Sequence, residues 1–344
     1  MKKIISVLLA LCLCCGGLSF ALAAAPDAFT ILNPYEGVDW QSVRQYKTAL
    51  HTHTNASDGG FTLPQSIGRH IETGFDIVAV TDHGTIDRSW ISGSGTSVIK
   101  TGLDLLGRSE GDITYLGASG TFENGVNYTC RALANTDEFV TTDTGRTVLK
   151  IPYGIENNAI SANAHVNSWF APYVDNSLTT YEDAVKGVAK AGGVCVINHP
   201  GEYTKARYEI RTENAYDENN YAYAYYINKF AGLIDEYDAL IGIDINSKGD
   251  NRTRFDRKLW DILLTRFAAN GKNVFAICSS DAHQLDKIDT GFSVLLMPAY
   301  TSAAARAALQ AGHFFGASHC LGNYDELVSI ADALREICGE GNGT

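Results

Sequence analysis

The chain of 344 residues is poor in basic charge, with 27 Lys and Arg against 39 Asp and Glu. The resulting net charge of −12 excludes the electrostatic grip that nucleic-acid binding needs, and it repels anionic membranes. No C-x-x-C spacing occurs among the five cysteines after residue 25, which argues against cysteine-held zinc. No glycine-rich phosphate fingerprint, internal repeat or long low-complexity tract is present, so nucleotide-fold and solenoid readings lose support. What remains is a globular composition, 45% hydrophobic and 19% charged, long enough for one large single-core domain.

The N-terminus differs from the rest. Lys2 and Lys3 precede an apolar run from Ile4 to Leu22, and small residues follow at Ala21, Ala23, Ala24 and Ala25. This pattern predicts a signal peptide over 1–24 and a secreted or extracytoplasmic protein. The alternatives are an uncleaved anchor or a lipoprotein, but Gly16 and Gly17 interrupt the run, and Cys14 and Cys15 lack a convincing acylation context. Loss of Lys2 and Lys3 would take the charge from −12 to −14, and loss of Cys12, Cys14 and Cys15 would leave five of eight cysteines. An odd count argues against a full disulfide framework. Cys195 and Cys278 read as buried thiols, and Cys320 and Cys338 are the candidates for pairing.

After residue 45 a unit recurs: an amphipathic stretch ends in Gly, and an apolar run follows that ends in polar, chemically capable residues. Thr62 caps a predicted helix running through Pro64 to Glu72, and Ile77 to Val80 then leads into Thr81-Asp82-His83. Thr180, with Asp183 three residues on, opens a helix over Tyr181 to Lys190, followed by Val194 to Ile197 and Asn198-His199-Pro200. A helix from Arg257 to Ala269 precedes Val274 to Ser279 and Ser280-Asp281-Ala282-His283. Lys47 to Leu50 ends at His51, and Ile241 to Ile245 ends at Asn246. Apolar strands alternating with helices predict a parallel sheet covered on both faces. Reactive residues at strand after strand predict a TIM-like α/β barrel with its site at the C-terminal rim. An open doubly wound sheet is the runner-up.

Residues 89–150 break this rhythm and read as an insertion at the rim. The polar, tyrosine-rich segment 211–226 reads as a second rim loop. Helices expected from Ser302 to about Gln310 and from Glu326 to Ile337 make 302–344 a helical extension of a single domain over 25–344.

Six of the nine histidines lie in short motifs at predicted strand ends. His51 and His53 form H-x-H, and residues two apart on a strand face one side. Asp58 follows in a turn, His83 ends the next strand, Glu156 lies in G-I-E, His165 in A-H-V-N, His199 in N-H-P, and Asp281 and His283 in D-A-H. Each motif alone is weak. Together, imidazole and carboxylate are the ligand set of zinc, iron and manganese. His70, mid-helix, reads as structural or exposed, and His313 and His319 have no metal role.

In its order of motifs, H-x-H, Asp, T-D-H, G-x-E, His, N-H-P and D-x-H over residues 48–285, the chain resembles the PHP (polymerase and histidinol phosphatase) family. The resemblance implies a distorted (β/α)7 barrel carrying two or three divalent ions. His51, His53, Glu156 and Asp281 would hold the first ion, and Glu156 would bridge to a second, held also by His165 and His199. Asp58, His83 and His283 would hold the third; some family members have His where this chain has Asp58. The implied activity is hydrolysis of a small-molecule phosphomonoester or phosphodiester by a metal-bridged hydroxide. Glu156 and Asp281 are the catalytic candidates, with Asp82 either orienting a ligand histidine or capping a turn. Arg88, Trp90, Asn167 and Asn246 are candidate rim contacts. Hydrolysis of a carboxylic ester, amide or carbamate on the same ions is the alternative enzyme reading, and a metal-bearing module without activity is the non-enzymatic one.

Overall fold

The computed structural model describes residues 32–93, 102, 105–106, 113–133, 137–158, 164–174, 180–245, 247 and 252–319. The expected signal segment, Asn246, Cys320, Cys338 and the helix expected from Glu326 lie outside these residues. Among the described residues no helix is long and apolar enough to cross a membrane.

Local chemistry accounts for the helix starts. Thr62 and Gln65 form a reciprocal capping box at α1, Leu63–Glu72, with Pro in its first turn. Thr180 and Asp183 do the same at α2, Tyr181–Ala191, and Gly192, at φ +77°, closes it in the left-handed region that favours glycine. A short helix α3, Pro200–Tyr203, follows His199 directly. The segment read as a rim loop over 211–226 instead runs into a helix, α4, Tyr221–Glu236, capped by Asn220. Its tyrosines obscured the period: Tyr223, Ile227, Phe230, Leu233 and Ile234 form the buried stripe. Helices α5, Asp256–Ala268, and α6, Ser302–Ala311, lie where expected to within a residue or two.

The fold is mixed α/β, built on two sheets. The five-stranded sheet has the order β11-β10-β9-β8-β7, with β7 Ile155–Asn157, β8 Val166–Trp169, β9 Val194–Ile197, β10 Leu240–Asp244 and β11 Phe275–Ile277. Strands β9, β10 and β11 are parallel, as expected. Strand β8 is antiparallel to both neighbours; it begins nine residues after β7 ends, closer than the crossover of a parallel pair allows. The eight-stranded sheet has the order β13-β12-β1-β2-β6-β5-β4-β3. Its β1 (Arg44–Ala49), β2 (Ile77–Val78) and β6 (Thr147–Lys150) are parallel. On the other side of β1, β12 (Gly291–Met297) pairs antiparallel with it, and the edge strand β13 (Phe314–Ser318) pairs antiparallel with β12. Strands β12 and β13 carry no strand prediction from sequence, and with β7–β8 they break the regular alternation expected there.

Residues 89–150 extend this second sheet. Strands β3 (Ser119–Thr121), β4 (Asn127–Ala132) and β5 (Glu138–Thr142) form an antiparallel meander that β6 joins to β2. Among the described residues the two sheets do not close through continuous ladders into one barrel. They meet through isolated bridges, parallel from Thr52 to Ala282 and from His83 to Glu156, and antiparallel from Asp87 to Gly154. One core cluster draws on both sheets, with Leu50, Ile77 and Leu149 from one and Trp169, Val196, Ile241 and Ile277 from the other. A second packs α2, α4 and α5 on β9 and β10, and a third lies between α1 and the meander.

Candidate metal centre

The two parallel bridges between the sheets fall beside ligand candidates, so chain that leaves the strands there converges on one point. His51 and His53 leave β1 two apart, with Nε2 atoms 3.1 Å from each other. The turn after them is tight: a Cβ on Gly59 would sit 2.8 Å from the His53 backbone. His199 (φ +28°) and Asp281 (φ +46°) are non-glycine residues in the left-handed region. Such backbone costs roughly 1–3 kcal/mol per residue and persists where surrounding structure enforces it. Here the sharp turns after β9 and β11 aim both side chains at the cluster.

Glu156 on β7 is its hub, fully buried. Its Oε2 lies 3.0 Å from His83 Nδ1, 3.3 Å from His53 Nε2 and 3.5 Å from His51 Nε2. Its Oε1 lies 3.2 Å from both His165 Nδ1 and His199 Nε2 and accepts from Asn198 Nδ2 at 2.7 Å. Asp281 Oδ1 lies 3.1 and 3.0 Å from His51 and His53 Nε2. Asp58 Oδ1 faces His283 at 3.3 Å, His83 at 3.6 Å and His53 at 3.7 Å. Three ligand groups result: His51, His53, Glu156 and Asp281; His53, Asp58, His83 and His283; and His83, Glu156 and His165. All nine candidates are brought together. The grouping differs in detail from the expected one, since His53 and His83 each serve two groups. His199 faces Glu156 and, at 3.8 Å, Asp281 Oδ2.

The residues fit divalent cations. Glu156 Oε2 is buried with no hydrogen-bond partner among the described residues, yet three imidazole nitrogens surround it. Donor lone pairs crowd around a point in this way when a cation is meant to sit between them. The charges agree. Burial favours neutral Glu156, but His165, His51 and His83 hold its carboxyl well below the usual range. Burial likewise opposes charge on Asp58, and His283, His53 and His83 hold it well down. Burial works against charge on His51, yet Asp281 and Glu156 push it up to about 9, and His53 rises well above its ordinary value for the same reasons. Burial lowers His83 to about 3. Cations would take the place of the protons on His51 and His53.

Outer partners orient several ligand rings. Asp82 accepts from Thr54 N at 2.6 Å, Thr54 Oγ1 at 2.7 Å and Ser57 Oγ at 2.7 Å, and Ser57 Oγ stands 3.4 Å from His53 Nδ1. Asp82 thus reaches the cluster through Ser57, bracing the turn that carries His53. Asp244 Oδ2 is 3.9 Å from His51 Nδ1 and accepts from Ser279 Oγ. Glu202 lies 3.6 Å from His199 Nδ1 and holds Arg252 and Arg207 at 3.3 and 3.6 Å. Tyr203 OH sits 2.9 Å from His165 Nδ1. Asp244, Glu202 and Tyr203 were absent from the sequence reading. The signals were a lone acid in an apolar strand, and two polar residues one turn after His199.

The remaining candidates settle elsewhere. Trp90 is buried and donates Nε1–H to Asp87 at 2.8 Å. Asn167 is buried, its Nδ2 3.5 Å from the Leu50 carbonyl. Arg88 is exposed. His70 is buried and structural, and His319 pairs with Asp289 at 3.0 Å. Cys195 and Cys278 are buried thiols outside any disulfide, and Cys278 Sγ donates to the Ala317 carbonyl at 3.0 Å.

No family model and no curated protein matches the chain. Solved structures do. A two-domain protein from Bacteroides vulgatus, described as containing a predicted PHP-like metal-dependent phosphoesterase, is 14% identical with a TM-score of 0.43; the match covers 86% of this chain and 71% of that one. PsfC from Pseudomonas syringae is 12% identical at 0.44, covering 86% and 99%. A lesion-specific endonuclease from Pyrococcus furiosus is 11% identical at 0.42, covering 84% and 66%. These likenesses are distant, and the chemistry below follows from the residues of this chain. The solved structures to which the chain is similar thus include PHP-like metal-dependent phosphoesterases, the family its ligand motifs resemble.

Proposed function

We propose that this protein is an exported hydrolase of small-molecule phosphoesters, working with two or three divalent ions of the zinc, manganese or iron type. The observation that carries the reading is Glu156. One buried carboxylate turns one oxygen to His51, His53 and His83 and the other to His165 and His199, so it can be shared by neighbouring ions. Ions side by side match the neighbouring oxygens of a phosphoryl group better than a single carbonyl oxygen. Bound there, they would supply Lewis acidity and a water of lowered pKa.

The protein's own part is to hold and to position. Asp281 and Glu156 supply negative charge between the imidazoles, and Asn198 fixes one Glu156 oxygen. Asp58, partly open to solvent with His83 and His283, marks the side from which substrate enters. The ring β1, β2, β7, β8, β9, β10 and β11, joined at two seams by isolated bridges, is the distorted seven-stranded barrel of this reading. Export rests on the signal pattern over 1–24.

Elemental analysis joined to a substrate panel tests the proposal. Purified protein should carry at least one transition metal per chain and hydrolyse phosphomonoesters or phosphodiesters, and a chelator should remove both properties. Turnover confined to carboxylic esters or amides would overturn the phosphoester assignment.

A further inference from the structure

We propose that Tyr203 is a catalytic hydrogen-bond donor to the phosphoryl group, a role that rests on the phosphoester reading above. Its phenol oxygen lies 2.9 Å from His165 Nδ1 and 3.3 Å from His165 Nε2, against the edge of the ring. Nδ1 is also the atom that faces Glu156 Oε1 at 3.2 Å, so it points into the cluster. An ion held by His83, Glu156 and His165 would use the lone pair of that nitrogen. The Tyr203 hydroxyl would then lose its acceptor while standing beside the same ion, and a non-bridging phosphoryl oxygen is the acceptor that replaces it.

The donor is held in place beforehand. Tyr203 ends α3, which begins directly after His199, and the Tyr203 ring packs on those of His165 and His199 at 4.9 and 5.6 Å between centroids. Helix α3 is tied down from beneath. Buried Asp256 accepts from Gly201 N at 2.8 Å and from Tyr216 OH at 3.3 Å, and Tyr216 OH meets Thr204 Oγ1 at 2.8 Å. A Cβ at Gly201 would come within 2.5 Å of Asp256 Oδ1; the fit leaves no slack. A donor fixed in this way stabilises charge developing in the transition state without reorganising.

Tyr203→Phe removes only the hydroxyl. The measurements are metal content, binding of inorganic phosphate to the metal-loaded protein by calorimetry, and kcat and KM on a phosphomonoester. Metal content should stay at the wild-type level, phosphate affinity should fall about 10-fold, and kcat should fall about 100-fold with a smaller change in KM. Tyr208→Phe, an exposed neighbour (68% exposed), should match wild type. If Tyr203→Phe binds phosphate and turns over like wild type, or if it loses metal in proportion to its lost activity, the tyrosine only supports His165 and the proposal is overturned. If wild-type protein itself neither binds phosphate nor hydrolyses phosphoesters, the phosphoester reading falls, and this role with it.

Discussion

His70 offers a quantitative test of how far the cluster's chemistry is separate from the scaffold's. It is fully buried in α1, donates Nδ1–H to the Ser66 carbonyl at 2.8 Å and meets the edge of Phe75 at 4.9 Å. Its Nε2 has no hydrogen-bond partner among the described residues. Burial pushes the imidazole down from 6.5 to about 4. A group whose folded pKa is depressed contributes stability that is present above its unfolded value and is lost as pH falls toward its folded one. Lowering the pH from 7 to 5 crosses about 1.5 pH units of that window and should cost the fold about 2 kcal/mol through this residue alone. His70→Leu removes the titration and the unpartnered nitrogen together. At pH 7 the variant should lie within about 1 kcal/mol of wild type, since one hydrogen bond is lost and one unpaired buried group removed. At pH 5 it should gain on wild type by about 2 kcal/mol. Urea unfolding in excess chelator, followed by tryptophan fluorescence at both pH values, gives the difference without interference from bound ions, and elemental analysis of the loaded protein should find no loss of metal. Parallel stability-against-pH curves for the two proteins would refute the argument.

The shared carboxylate and its neighbours lead to two more expectations. Glu156→Gln should cost at least one ion per chain and abolish turnover with the circular dichroism spectrum unchanged; wild-type activity with normal metal content would rule out the bridging role. Asp244→Asn removes the negative charge facing His51 Nδ1 and should weaken metal affinity about 10- to 100-fold, read by competition with a chromophoric chelator, whereas unaltered affinity would assign Asp244 to packing alone.

The residues that chemistry demands were the most legible part of the chain. H-x-H, T-D-H, N-H-P and D-A-H announced themselves because ligand residues sat where apolar strands stopped, and caps such as Thr62 and Thr180 marked the helices beside them. The sheet order was harder to read. Strands β7 and β8 are three and four residues long, too short for a periodic signal, and β8 gains its antiparallel place from pairing with β9, which no local pattern encodes. Tyrosines on several faces of α4 hid a helical stripe and made it read as a loop. Tyr203 and Asp244 act through space, one across to His165 and the other across strands to His51, so their significance emerges only with tertiary contacts.

Among the described residues the two seams between the sheets are closed by isolated backbone bridges and not by a ladder, and each has ligand candidates on both banks: His51 and His53 across from Asp281 and His283, His83 across from Glu156. A cation seated among them would act as a rivet where the ladder is missing. Rigidity in this molecule would then be something supplied by its reagents. Stripping the ions would loosen the scaffold at the same seams where it removes the chemistry, and in a metal-poor medium the protein would become softer as well as silent.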